Sequence, residues 1–237
     1  MTENTKAFVL SYLKYGDSSL IIRCYTEKFG FKSFILKNSF SGKRKKNHLL
    51  FILNEVDITF YPKKTHSLEL IKDMYQGYIF KNTYSDIVKS SIVTFIGEIL
   101  NQTLKNEEIP NASLYDFLKT NLIRLDDKEH YFADFHLYFL LGLSGHIGFY
   151  PLHTHAELPY FNLSEGVFSP EAPHNFSGEE NARLWDTLLT YDFNLSQNCF
   201  NSSQRTQMLN EILTYYEIHL TNFKRPVSLD ILKLIFE

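Results

Sequence analysis

The sequence predicts an α+β protein, with a small N-terminal β-barrel followed by an all-helical domain. Three observations carry this. The first sixty residues are short β-prone runs separated by turns, with no helix between them. From about Thr65 the apolar spacing changes from two residues to three and four. The charge changes along with it. Residues 1–80 hold 13 Lys and Arg against 7 Asp and Glu, a balance of +6, whereas residues 81–237 hold the other 11 basic groups against 20 acidic ones, a balance of −9. The formal net charge of −3 conceals this asymmetry. A basic N-terminal part on an acidic body points to an anionic partner for the first and a protein-docking role for the second.

The elements follow in order. Ala7 to Leu10 continues into Tyr12 and Leu13, and Tyr15-Gly16-Asp17-Ser18 supplies turn chemistry. Leu20 to Thr26 is a second β-prone run, closed by the Lys28-Phe29-Gly30 turn, and Phe31 to Lys37 is a third. Asn38 to Asn47 is a polar, basic loop. Val56, Ile58 and Phe60 alternate with Asp57, Thr59 and Tyr61, the period-2 pattern of a half-buried strand that Pro62 closes. Five short strands with small turns suggest a compact barrel over 1–64. The remainder, 65–237, reads as helical. Ile87 to Leu100 carries apolar residues at three- and four-residue steps, and Asn111 is a candidate N-cap for a helix to Leu125. A third helix, from about Glu129 to His146, is apolar nearly all round and reads as the most buried. Ser177 with Glu180 resembles a capping box for a helix through Trp185 to Leu189. Met208 to Leu220 and Ser228 to Phe236 are the last two helices. Between the third helix and the one through Trp185, about 150–176 is an irregular, proline-rich loop.

Composition bounds the function. The chain has 237 residues, 44% hydrophobic and 22% charged, which suits a globular protein with a sizeable core. Its 21 Phe and 15 Tyr first suggest a ring-rich core. No apolar run approaches the roughly 20 residues of a membrane span, and the polar start lacks the pattern of a signal peptide, so a cytoplasmic, nucleoid-associated location is expected. Two cysteines, Cys24 and Cys199, exclude a disulfide framework and a four-thiolate zinc site.

The sharpest motif is the run Lys43-Arg44-Lys45-Lys46 after Gly42. Four adjacent cations suit a solvated loop or a nucleic-acid contact; the basic excess of the whole N-terminal part favours contact. Lys14, Arg23, Lys32 and Lys37 lie near it in sequence, and Tyr12, Tyr15, Phe34 and Phe40 are interleaved with these charges. Rings beside a basic groove can stack unpaired bases, which gives Tyr15, Phe34 and Phe40 a candidate role. His146, His153, His155 and His174 with Glu157 leave open a metal-dependent hydrolase, although loop histidines with ordinary hydrogen bonds fit the spacing better. Gly142, Gly145 and Gly148 follow a helical stretch rather than a strand, so they are not a dinucleotide fingerprint. No phosphate-binding loop ends in Gly-Lys-Ser/Thr, and no catalytic constellation emerges, so the chain reads as a non-enzyme without cofactor. A protein-interaction adaptor without DNA binding is the other alternative.

Several segments together resemble the bacterial RecO family. They are Lys6 to Leu10, Lys14 to Leu20, Tyr25 to Gly30 and the basic loop Lys37 to Lys46, then Phe135 to Pro151, Tyr215 to Phe223 and Ser228 to Lys233. The resemblance implies an N-terminal OB-fold and a helical C-terminal domain. It implies binding of single- and double-stranded DNA and annealing of complementary strands without nucleotide hydrolysis. Partnership with RecR and with the single-strand-binding protein SSB, through the SSB C-terminal tail, is implied as well, in loading the recombinase RecA. Some members carry four zinc-binding cysteines after the central helix. This sequence departs there, with His153 and His155 near the place of the first pair, so its loop is expected to be held by packing.

Overall fold

The computed structural model describes residues 1–37, 49–63, 68–130, 132–192 and 197–236. These form two compact units, Met1–Asp126 and Asp127–Glu237.

The first unit is built on five strands, β1 (Glu3–Tyr15), β2 (Ser19–Thr26), β3 (Gly30–Leu36), β4 (Glu55–Tyr61) and β5 (Glu69–Gln76). They close into a barrel in the order β1-β2-β3-β5-β4, with β3 and β5 parallel and the other neighbours antiparallel. β1 is long enough to pair with β4 through Glu3–Phe8 and with β2 through Ala7–Tyr15, and a register shift between Val9 and Ser11 bends it from one to the other. Alternation fills the interior: Val9, Ile22, Cys24, Phe34, Val56, Ile58, Phe60 and Met74 form its core. This is the mixed α+β architecture expected, with an OB-like barrel at the N-terminus. The fifth strand, however, lies beyond residue 64, where the sequence reads as helical. Its apolar residues Ile71 and Met74 are three apart, and a register shift opposite it between Thr59 and Phe60 breaks the period-2 pattern.

Two helices complete this unit, α1 (Ile87–Thr103) and α2 (Ala112–Asp127). Asp86 caps α1 by accepting from the Val88 and Lys89 amides at 2.8 and 3.0 Å. Gly97, in mid-helix, lets α1 approach closely: a Cβ there would lie 2.2 Å from Ile52 Cγ2. Asn111 caps α2, its Oδ1 accepting from Leu114 N at 3.0 Å. The buried Glu55 carboxylate then ties α2 to the barrel, accepting from Tyr115 OH and Lys119 Nζ, each at 3.0 Å, and from Tyr78 N at 2.9 Å. At the end of α2, Asp126 accepts from the amides of Lys81, Asn82 and Thr83 and from the Thr83 hydroxyl, all within 2.8 Å. Burial opposes the charge of Asp126, but these bonds outweigh it and hold its carboxyl below the ordinary range.

The second unit holds α3 (Phe135–His146), α4 (Glu179–Leu189), α5 (Ser202–His219) and α6 (Leu229–Phe236). It also contains a small antiparallel sheet, β6 (Tyr160–Asn162), β7 (Val167–Ser169) and β8 (Phe176–Ser177), within the segment expected to be irregular. α3 is buried over most of its circumference, with Tyr138, Gly142, Gly145 and His146 along its less buried face, and it begins at Phe135, after Asp134. Asp134 is fully buried and receives Cys199 N at 2.5 Å, Phe200 N at 3.1 Å and Arg205 Nε at 2.7 Å. Gly178, not Ser177, caps α4: the Ser177 hydroxyl instead bonds Glu211. Rings fill this core, with Phe161 stacked on Trp185 at 4.5 Å and Phe149 on His219 at 5.1 Å. Tyr215 and Tyr216 hydroxyls donate to the Phe149 and Leu140 carbonyls at 2.8 and 2.7 Å. Among the described residues, no helix is long and apolar enough to cross a membrane.

Candidate nucleic-acid interface

The barrel decides which basic and aromatic side chains can reach a ligand. On β2, Ile22 and Cys24 point inward, so Arg23 between them points outward, opposite Ser11 on β1 and Ser33 on β3. Its neighbours are short, which leaves the guanidinium partly exposed. At one end of the same sheet, β1 runs out into Tyr12, Leu13, Lys14 and Tyr15, all exposed. Gly16 follows with φ +62°, a left-handed position that suits glycine, and turns the chain into β2. Lys37 is exposed immediately after β3. Tyr15, Arg23 and Lys37 therefore belong to the solvent side of β1–β3, the region through which barrels of this kind hold oligonucleotides, and Lys14, which pairs with the inward Leu20, is exposed at the end of β1.

Two expectations change on this framework, and a third falls outside it. Phe34 is fully buried in the barrel core and packs edge-on against Phe60 at 5.2 Å, so it cannot stack a base. The register explains it, because Phe34 pairs with the inward Ile22. Lys32 is ion-paired with the buried Glu69 at 3.5 Å, so part of its charge is spent within the protein. Phe40, Lys43, Arg44, Lys45 and Lys46 lie outside the described residues. Conversely, Phe51, Tyr61 and Tyr75 are large exposed rings of this unit that the sequence did not single out. Tyr61 follows the alternation of β4 to the outside and could have been found by counting. Phe51 follows a loop and carries no periodic signal.

His153 Nε2 meets Asp186 at 2.7 Å and His155 Nδ1 meets Glu157 at 3.4 Å, while burial holds His146 below the ordinary histidine range. Among the described residues, no three His, Cys, Asp or Glu side chains are grouped to hold a metal ion.

Family comparisons join both parts of the chain. Residues 1–76 match the family model described as recombination protein O N terminal, and residues 84–228 match recombination protein O C terminal. The chain belongs to the RecO family. Its curated relatives include the DNA repair protein RecO of Flavobacterium psychrophilum and that of Flavobacterium johnsoniae, each 35% identical with 100% of both chains covered. That of Bacteroides fragilis is 32% identical, again over 100% of both chains. The N-terminal RecO match ends on Gln76, the last residue of β5, so the closed barrel coincides with the family's N-terminal module. RecO membership supports a role in DNA repair and recombination for a barrel whose outer side carries cations and rings.

Proposed function

We propose that this chain is a non-enzymatic mediator of recombination repair that binds single- and double-stranded DNA. It anneals complementary strands without ATP and helps to load a recombinase on SSB-coated DNA, together with RecR. The observation that carries this reading is the solvent side of β1–β3, where Arg23 and Lys37 accompany the half-exposed Tyr15, with Lys14 exposed at the end of β1. Basic groups there neutralise phosphates and release counterions, so affinity falls steeply with salt. Neutralising two strands at once lowers their mutual repulsion and lets bases pair. The Lys43–Lys46 run adds four cations to the same unit's sequence. The acidic remainder of the chain suits protein contacts, with the SSB tail and RecR as the partners that family membership suggests.

Fluorescence anisotropy with a labelled single-stranded oligonucleotide, titrated against salt, tests this. Wild type should bind with a steep salt dependence, and replacing Lys43, Arg44, Lys45 and Lys46 by Ala should reduce the log–log slope by about 3. Absence of binding even at low salt would leave a protein-interaction adaptor instead.

A further inference from the structure

A groove of about 470 Å³ opens in the first unit between β1, the Phe51–Ile52 segment and α1. Leu10, Ile52 and Val93 make part of its lining apolar, and rings and oxygen acceptors make up much of the rest. Phe51 stacks on Tyr84 at 4.8 Å with 19° between the planes, yet half of Phe51 remains exposed, so one of its faces is open. The Tyr84 hydroxyl donates to the Ile52 carbonyl at 3.0 Å, which fixes the supporting ring. Across the groove stands Tyr12, also half exposed. Thr94 on the α1 rim donates its hydroxyl to Ser90 O at 2.8 Å, and its oxygen lone pairs can still accept.

Half-exposed rings, an apolar part of the lining and oxygen acceptors suit a planar heterocycle that carries N–H donors at its edge. We infer that this groove receives one unpaired base of a bound single strand, stacked on the open face of Phe51. This inference rests on the DNA-binding reading above and names a base site that the basic surface alone does not supply. The phosphates on either side of the base meet a unit with an excess of positive charge. Lys14 is two residues from Tyr12 and exposed. The volume lies within the range of small-ligand sites.

The test uses the full chain with Phe51→Ala, Phe51→Trp and a single-stranded oligonucleotide alongside a hairpin duplex of the same charge. Phe51→Ala should bind the single strand about tenfold more weakly and leave the duplex within about twofold, with an unchanged salt slope, because a stacking contact is lost and no phosphate contact is. Phe51→Trp should keep wild-type affinity, and its indole should be quenched by the oligonucleotide over the constant emission of Trp185. An abasic oligonucleotide should bind wild type as weakly as the base-bearing strand binds Phe51→Ala. The base site is overturned if wild type binds DNA while Phe51→Ala loses single strand and duplex equally, or loses neither. It is overturned too if an acidic peptide quenches the Phe51→Trp indole and the oligonucleotide does not. Failure of wild type to bind any DNA would instead remove the functional reading on which the inference stands.

Discussion

The two units spend their aromatic residues in different proportions. In Asp127–Glu237 most rings turn inward, where Phe161, Trp185 and Tyr215 pack on one another and Phe149 lies flat on His219, and Tyr150 and Phe176 are the large rings left exposed among the described residues. In Met1–Asp126, Phe8, Phe34 and Phe60 fill the core, yet Tyr12, Tyr15, Phe51, Tyr61 and Tyr75 are each at least 44% exposed. A high aromatic fraction therefore means a ring-built core in one unit and a surface with stacking faces in the other. The polar groups differ in a parallel way. Glu55 ties α2 to the barrel and Asp126 ties the end of α2 to residues 81–83, while Lys14 and Lys37 are left exposed for solvent or ligand and Lys32 pairs with Glu69. In the second unit Asp134 and Arg205 bury an ion pair to join the start of α3 to the start of α5.

The sharpest way to break this comparison is to exchange the roles of one inner and one outer ring. Phe34→Ala should lower unfolding stability by about 3–5 kcal/mol in urea titration, because it opens a cavity at the centre of the barrel. Tyr15→Ala should leave stability within about 0.5 kcal/mol and instead weaken single-strand binding several-fold. If Tyr15→Ala proved the more destabilising, the assignment of inner and outer faces would be wrong.

The second unit's ion pair comes next. Arg205→Met leaves Asp134 buried with amide partners only, and should cost about 3 kcal/mol. Adding Asp134→Asn should recover part of that loss, since no buried charge then lacks a cation. Differential scanning calorimetry of the single and double variants measures both. A loss in the double variant equal to the sum of the singles would mean that the pair contributes no coupling.

Most of the fold was legible because its core residues recur at fixed steps. Val56, Ile58 and Phe60 announce β4, and Ile92 to Leu100 announce α1, whose buried face is Ile92, Val93, Phe95, Ile96, Ile99 and Leu100. What escaped were elements too short or too irregular to show a period. β6, β7 and β8 have three, three and two residues, and β5 sits against a bulge. Ser177 and Glu180 have the spacing of a cap, but a tertiary partner, Glu211, takes the hydroxyl. The candidate interface was legible in its charges and only partly in its rings. Composition reveals that cations and aromatics are interleaved, whereas the register alone sends Phe34 inward and Tyr15 outward.

Acid should separate the two units. His136 is fully buried, and burial, with the Arg205 charge beside it, pushes its pKa down to about 3, partly offset by the Ala133 carbonyl. It folds neutral and must gain a proton to titrate normally once unfolded. Its contribution is thus fully present above the unfolded value of 6.5 and is lost as pH falls from there towards 3. In the first unit Asp126 is also depressed, from an ordinary value of 3.8, so its contribution is lost only below that point. Between pH 6.5 and 5 the second unit should lose about 2 kcal/mol while the first loses little. Trp185 fluorescence reports the second unit's unfolding. His136→Phe, which keeps a ring to stack on Phe236, should flatten that pH dependence. An equally steep profile in the variant would assign the acid sensitivity to other groups.

The smallest effect concerns the helix that forms one wall of the groove. Alanine in place of a mid-helix glycine ordinarily gains about 1 kcal/mol from helix propensity. At Gly97 the added methyl would meet Ile52 Cγ2 at 2.2 Å, closer than any real carbon contact. Overpacking of this kind costs about 1–3 kcal/mol, so the net change for Gly97→Ala should be a loss of about 1 kcal/mol. Ile52→Ala removes the obstructing methyl and should cost stability alone through lost packing. Combined with Gly97→Ala it should cost less than the two together, because the new methyl occupies the space vacated. That coupling, read from thermal unfolding of the four proteins, sharpens the comparison between the units. It would show that α1 is held against the Phe51–Ile52 segment by direct contact, so that the outward rings of the first unit stand on a rigid support. Additive losses would mean that α1 simply moves away, and that the open face of Phe51 is not fixed by the helix behind it.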